Sequence, residues 1–282
     1  MIDEETLRFN LLFGLPIQYG NINIYQPTIK DYCDLPIRTN GYYIYKYLYC
    51  IQPEHLNLDE KLIEIFKKDN KSLFQILFIH DEMLKRKNEL NGQNSLILNL
   101  SLSLSFFLKI DVNQIKLDVK NQQLIIENKD NNNDTLFILN NDNFEEFSAL
   151  IRLICSSDMM EVKKKDENIK YPKDPSLRKK MEKILRQNAE NEERKRKENM
   201  TTIVDVMSRV IAHENTKYDY FSILKLTIWQ LFQEYATMYV REDFDFEKRK
   251  ITSGQFDYSK QKVDLNWGNK LKIKLPDVLK TK

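Results

Sequence analysis

Leu226-Thr227-Ile228-Trp229-Gln230-Leu231 carries a complete set of signals for the start of an α-helix. Thr227 offers a side-chain cap to the first turn. Gln230, three residues on, closes a capping box, and Leu226 stands where it can staple onto Leu231. Ile228, Leu231, Phe232, Tyr235, Met238 and Tyr239 then recur at helical spacing. Upstream, Ile203, Met207, Val210 and Ile211 form a second stripe of the same period. Together these predict a C-terminal helical unit over residues 200–282. Its final part, from about residue 250, holds Ser253-Gly254 and Trp267-Gly268 with little periodicity and reads as an extended tail.

The same signals recur towards the N-terminus. Thr28-Ile29-Lys30-Asp31 has a capping Thr with an acid three residues later, and Asn57-Leu58-Asp59-Glu60 opens a helix with Leu62, Ile63 and Phe66 on its apolar stripe. Residues 72 to about 89 supply another helix, apolar at Leu73, Ile76, Leu77 and Met83. Thr28-Ile29 and Thr227-Ile228 share a cap style, too short a likeness to count as a repeat. Before Thr28, Pro16 to Tyr19 and Ile22 to Tyr25 flank Gly20-Asn21, the pattern of a tight hairpin, with Ile22 and Ile24 on one face. Residues 95–108 are ambiguous. Leu96, Leu98, Leu100, Leu102 and Leu104 alternate like a strand, whereas Ile97, Leu100, Leu104, Phe107 and Leu108 share a helical face. The run is long for a strand, which favours helix.

At residue 111 the period changes from helix to strand. Ile115, Leu117 and Val119 alternate, as do Leu124 and Ile126, and Leu136 to Leu139 follows a polar turn. This predicts a small antiparallel sheet of two or three strands, which must pack on helices to be stable. Asn143-Phe144-Glu145-Glu146 then caps a helix with Phe147, Leu150, Ile151 and Ile154 inward. From 158 to 199 the chain is charged, with Tyr171-Pro172 and Asp174-Pro175 interrupting it and mixed acids and bases from Asn188 to Asn199. The expected fold is mainly α, of the α+β class. A helical-bundle-like N-terminal domain over 1–157 carries the β insert near 112–140, a charged helical linker spans 158–199, and the C-terminal helical unit follows at 200–282.

Composition narrows the function. With 44 Lys and Arg against 42 Asp and Glu, the net charge is +2, without the basic excess of a dedicated nucleic-acid binder. Six glycines are few for phosphate loops or turn-dense sandwiches. Cys33, Cys50 and Cys155 are odd in number and widely spaced, as for free thiols in a reducing cytoplasm. The acidic opening Met1-Ile2-Asp3-Glu4-Glu5 does not resemble a leader. The apolar stretch from Leu96 to Ile110 is too short and too polar to cross a bilayer.

Reaction-competent clusters are scarce. His55, His80 and His213 lie far apart. His80-Asp81 has the form of a metal phosphohydrolase pair but lacks further His and Asp ligands, so a plain helical pair is the simpler reading. Asp118 with Glu127-Asn128-Lys129 has the form of a nuclease hairpin, in which two carboxylates hold a metal and the Lys steadies a water. Because Leu117, Val119, Leu124 and Ile126 alternate with them, these polar residues also fall naturally on the solvent face of a half-exposed hairpin. Cys33 and Cys50 have no neighbouring His in sequence and read as core residues. Lys163-Lys164-Lys165 and Arg194-Lys195-Arg196-Lys197 are each surrounded by acids, as on a solvated face. The Tyr-rich run from Tyr42 to Tyr49 suits a protein interface, although an amphipathic helix burying part of it is the simpler reading. No cofactor is expected.

The order of segments resembles tail-module proteins of large tailed phages of low-GC Gram-positive bacteria, often described as tail assembly chaperone-like. Leu11-Leu12-Phe13-Gly14-Leu15-Pro16-Ile17 followed by Ile22-Asn23-Ile24-Tyr25-Gln26-Pro27-Thr28-Ile29 is similar to their start. The helix, hairpin and Asn143-Phe144-Glu145-Glu146-Phe147 order, the charged stretch, Leu226 to Phe232, and the tail from Ser253-Gly254 to Trp267 continue the likeness. The resemblance implies a non-enzymatic protein of the host cytoplasm that holds the tape-measure protein soluble during tail assembly. It implies protein partners, with no membrane and no nucleic acid, and is compatible with a homo-oligomer. The expected contact residues are Trp229, Phe232, Tyr235, Tyr239 and Trp267. The alternatives are a structural virion part, such as a connector or baseplate piece, and, least favoured, a metal-dependent nuclease using Asp118, Glu127 and Lys129.

Overall fold

A computed structural model describes residues 3–35, 48–49, 63–64, 66, 68–69, 71–92, 94–128, 134–156, 202–213, 216–252, 276 and 279. The architecture is mainly helical α+β, with two small antiparallel sheets. Helix α1 (Glu4–Phe13) leads into a hairpin of β1 (Ile17–Tyr19) and β2 (Ile22–Ile24), then α2 (Ile29–Cys33). Helices α3 (Leu73–Arg86) and α4 (Leu96–Leu108) precede a second sheet of β3 (Ile115–Asp118), β4 (Gln123–Glu127) and β5 (Thr135–Leu139). Helix α5 (Phe144–Ile154) completes the N-terminal body, and α6 (Ile203–Ala212) and α7 (Ile228–Thr252) follow. The charged stretch 158–199, most of the predicted Asn57 helix, Cys50 and nearly all of the tail beyond residue 252 lie outside the described residues.

Both predicted Thr caps form, and they meet. Thr28 and Asp31 exchange backbone and side-chain hydrogen bonds at 2.7 and 3.2 Å. Thr227 and Gln230 do the same at 2.9 and 3.1 Å. An isolated antiparallel bridge joins Thr28 to Thr227, and the Ile29 N–H donates to the Leu226 carbonyl at 2.9 Å. The C-terminal end of α1 lies against the same joint. Its last turns would leave carbonyls without partners. Gln26 Nε2 donates to the Asn10 and Leu15 carbonyls, both at 2.7 Å, and Gln230 Nε2 donates to the Leu12 carbonyl at 2.9 Å. Gly14 closes α1 in the left-handed region at φ 66°, a conformation that suits a residue without a Cβ. A Cβ there would lie 3.2 Å from Thr227 Cγ2.

A buried carboxylate sets the angle between α3 and α4. Asp81, on α3, receives the Ser95 hydroxyl at 2.6 Å and the Leu96 and Ile97 N–H groups at 2.9 and 3.0 Å. A negative charge at a helix N-terminus meets both the unpaired N–H groups and the positive end of the helix dipole. His80 Nδ1 lies 3.1 Å from the same carboxylate. Burial pushes the Asp81 pKa up, but the hydrogen bonds from His80, Ser95, Ile97 and Leu96 outweigh it and hold it below the ordinary value. The His80-Asp81 pair therefore has a structural role as a cross-helix cap. The ambiguous run 95–108 is the helix that Asp81 caps.

The core is aromatic at its centre. Tyr49, fully buried, has ring centroids of Phe107, Phe144 and Phe147 at 6.2, 6.2 and 6.3 Å, and its hydroxyl meets Ser103 at 3.0 Å. Ser148 and Arg152 on α5 both donate to the Tyr49 carbonyl at 3.0 Å. Tyr49 thus takes the core position that an amphipathic helix would give it, while Tyr42 to Tyr47 lie outside the described residues. The β1–β2 register pairs Ile17 with Ile24, both fully buried, and Ile22 is buried beside them. The same core includes Val206 and Val210 of α6 and Ile228, Trp229, Leu231 and Phe232 of α7.

Four local expectations need correction. Cys33, read as a core residue, is exposed at the end of α2. Helix α1 has no counterpart in the reading of the sequence, although Asp3 caps it by accepting the Thr6 N–H at 2.8 Å. Asn143 precedes α5 but does not cap it. Its side chain instead accepts from Asn140 N at 2.9 Å and donates to the Ile138 carbonyl at 2.8 Å, which fixes the turn after β5. Leu117 and Val119 alternate but are 47% and 64% exposed, Leu117 on the edge strand β3 and Val119 in the turn that follows it. Among the described residues no helix is long and apolar enough to cross a membrane.

Two stability measurements test these joints. Asp81→Asn removes the charge from four hydrogen bonds and should cost about 2 kcal/mol at neutral pH by chemical denaturation. Because the folded pKa is lowered, the carboxylate's contribution is present above about pH 4 and is lost as pH falls through the folded value. The gap between wild type and variant should therefore narrow in acid; a gap independent of pH would contradict this account. Gly14→Ala places a side chain at positive φ against Thr227 and should destabilise by about 1–2 kcal/mol.

Candidate interaction surface

Helix α1 presents two faces. Leu7 and Leu11, one turn apart, are buried. Phe9 and Phe13, also one turn apart, look outward at 55% and 58% exposure with ring centroids 4.6 Å apart. Leu12 and Leu15 are 54% and 42% exposed. Isolated exposed apolar residues are ordinary, but a run of four on one short segment is the kind of patch that marks a binding surface. The sequence signal was present in Asp3-Glu4-Glu5-Thr6, a capped acidic first turn before an apolar run.

The residues expected as contacts divide between interior and surface. Trp229 and Phe232 are each 3% exposed and pack in the core. Tyr235 and Tyr239 lie on the next turns of α7, where Arg209 of α6 donates to both hydroxyls at 2.7 and 2.9 Å. Their rings meet edge to face at 4.9 Å, and Tyr239 is 46% exposed. The pair pins α6 onto α7 while leaving part of one ring in water. Trp267 lies outside the described residues. All four buried residues of α7 fall in its first two turns. The rest of the 25-residue helix, about 37 Å long in all, is largely solvated and carries Phe246 at 58% exposure.

A cleft of about 760 Å³ opens between α1, the β1–β2 hairpin, β5 and the start of α5. Its walls include Asp3, Gln18, Tyr19, Asn23, Phe137 and Glu146, and among the described residues no Lys or Arg lines it. The Tyr19 hydroxyl donates to Glu146 at 3.0 Å. Burial first, and then the Glu146 charge, raise the Tyr19 pKa well above its ordinary value, so the hydroxyl stays protonated as a donor. Tyr19 meets Phe137 and Phe147 edge to face at 5.7 and 5.9 Å. The cleft is therefore aromatic on one wall and acidic at its rim.

The structure does not bring the nuclease residues together. Asp118 pairs in register with Gln123, whereas Glu127 sits four residues further along β4, about 13 Å away at strand rise. Asp118 accepts from Asn121 N at 3.1 Å, Asn121 Nδ2 at 2.7 Å and Gln123 Nε2 at 3.2 Å, which hold its pKa below the usual range. Glu127 pairs with Lys116 at 2.6 Å. Each carboxylate serves the hairpin, one in its turn and one across its strands. Lys129 lies outside the described residues. Among the described residues no three His, Cys, Asp or Glu side chains are grouped as metal ligands would be.

Residues 194–272 match the model of a family described as the YomV second domain, a phage-derived family. The match takes in α6 and α7 and covers well under half of the chain. No curated protein matches, and no solved structure does. The comparison thus supports a phage protein.

Proposed function

We propose that this chain is a tail assembly protein of a phage, acting in the host cytoplasm as a chaperone that keeps the tape-measure protein soluble. The exposed apolar face of α1 carries this reading. Phe9, Leu12 and Phe13 stand in water on a helix whose other face and C-terminal end are fixed to the body, and exposed Leu15 follows just past its cap. Such a pre-organised helical face suits an amphipathic helix laid along it, as an elongated, largely helical partner would offer. The phage-derived match over 194–272 supports the setting. The resemblance of segment order to tail-module proteins supports the role.

The test is co-expression with the tape-measure protein of the same phage, alongside mass spectrometry of purified particles. Wild-type protein should keep the partner in the soluble fraction and be absent from particles. Phe9→Ser with Phe13→Ser should reduce soluble partner at least tenfold without lowering the melting temperature, since both side chains are already exposed. A fixed copy number in finished particles would instead make the chain a structural component, such as a connector or baseplate part.

A further inference from the structure

Two surface features outside that reading complement each other. One is the turn Lys217-Tyr218-Asp219-Tyr220-Phe221-Ser222 between α6 and α7. The Asp219 carboxylate accepts the Phe221 N–H at 3.0 Å, the Ser222 N–H at 2.6 Å and the Ser222 hydroxyl at 2.6 Å. The Asp219 N–H in turn donates to Ser222 Oγ at 2.8 Å. Ile223, next along the chain, is fully buried and anchors the turn. On this fixed base Tyr220 and Phe221 are 75% and 81% exposed, and exposed Lys217 and Lys225 flank them. Two aromatic rings held out by a locked turn give large contact area at low entropic cost, as interface hot spots do.

The other feature is the cleft beneath α1. It is concave where the turn is convex. Tyr19 and Phe137 offer aromatic surface, while Asp3 and Glu146 offer negative charge, with no Lys or Arg among the described lining residues. Among the described residues the cleft is lined by positions between 3 and 23, with 137 and 146, and no residue of the turn lines it. Aromatic rings of the turn match aromatic rings of the cleft, and lysines match carboxylates. The cleft, at about 760 Å³, has room for two ring side chains.

We propose that the Tyr220–Phe221 turn of one copy seats in the cleft of a second copy, with Lys217 and Lys225 facing Asp3 and Glu146. The contact joins two different surfaces, so two copies either exchange turns in a closed two-fold dimer or run head-to-tail, with one turn and one cleft unused at the ends. A head-to-tail contact propagates until the rotation closes a ring, or continues as an open chain. It is independent of the chaperone reading and stands or falls without it.

Sedimentation velocity on the purified full-length chain, over a concentration series at low and high salt, provides the test. Wild type should sediment as an assembly larger than the monomer, growing with concentration and weakening as salt rises. Tyr220→Ser with Phe221→Ser removes the knob, and Asn23→Arg places a cation in the cleft. Both variants change exposed positions, so each should be a monomer with unchanged melting temperature. The decisive sample is their equimolar mixture. The first variant retains its cleft and the second its knob, so one productive contact remains and a 1:1 heterodimer should appear. A monomeric wild type, a variant that keeps the wild-type size, or a mixture that stays monomeric would each overturn the proposal. If the wild type is monomeric but knob removal still blocks phage assembly, the turn serves a different partner and the self-association is wrong.

Discussion

Three helix ends meet at one place, and the arrangement of the rest follows from how their backbone groups are satisfied. The C-terminus of α1 presents carbonyls, and the N-termini of α2 and α7 present N–H groups. Gln26 and Gln230 donate to the α1 carbonyls, and the two Thr caps bridge to each other through Ile29 N–H and the Leu226 carbonyl. Leu12 and Gln230 lie 218 residues apart along the chain. Closing so long a loop carries an entropic cost, and the packing of Ile228, Trp229, Leu231 and Phe232 immediately beyond the joint supplies the opposing burial. Gly14 belongs to the joint because a side chain there would meet Thr227.

A second point of the same kind sits where Asp81 caps α4. One buried carboxylate replaces the water that the helix N-terminus would otherwise need, and in doing so fixes α4 against α3. Both joints turn the unpaired groups of helix termini into tertiary contacts. That is an economical way to orient short helices, since the polar groups must find partners in any case. Asp118 and Asn143 act on a smaller scale, fixing turns in and after the small sheet.

With those ends committed, the surfaces left over are those available for binding. Because α1 is held at its C-terminus and along Leu7 and Leu11, its Phe9 and Phe13 face remains in water. The same anchoring places Asp3 and the first turn of α1 over the hairpin, which forms the acidic rim of the cleft. The turn before α7 is constrained from the other side by Ile223, so Tyr220 and Phe221 project outward. Exposure at these positions is thus a consequence of the joints.

Local chemistry made the helices after α1, the hairpin and the small sheet legible in the residues themselves. Capping pairs such as Thr28 with Asp31 and Thr227 with Gln230 act within one turn, and period-two alternation marks the strands without reference to the rest of the chain. Partnership across long separations was not legible. Trp229 and Phe232 have the composition of contact residues, yet burial against the body assigns them to the core. Asp118 and Glu127 have nuclease spacing, yet strand register sets them apart. The likeness of Thr28-Ile29 to Thr227-Ile228 was visible but mute, because a hydrogen bond between two caps depends on where the chain returns. Sequence alone determined which segments are helix or strand, through contacts a few residues apart. Only the tertiary structure decided which faces stay in water, because exposure depends on every group that packs from elsewhere in the chain.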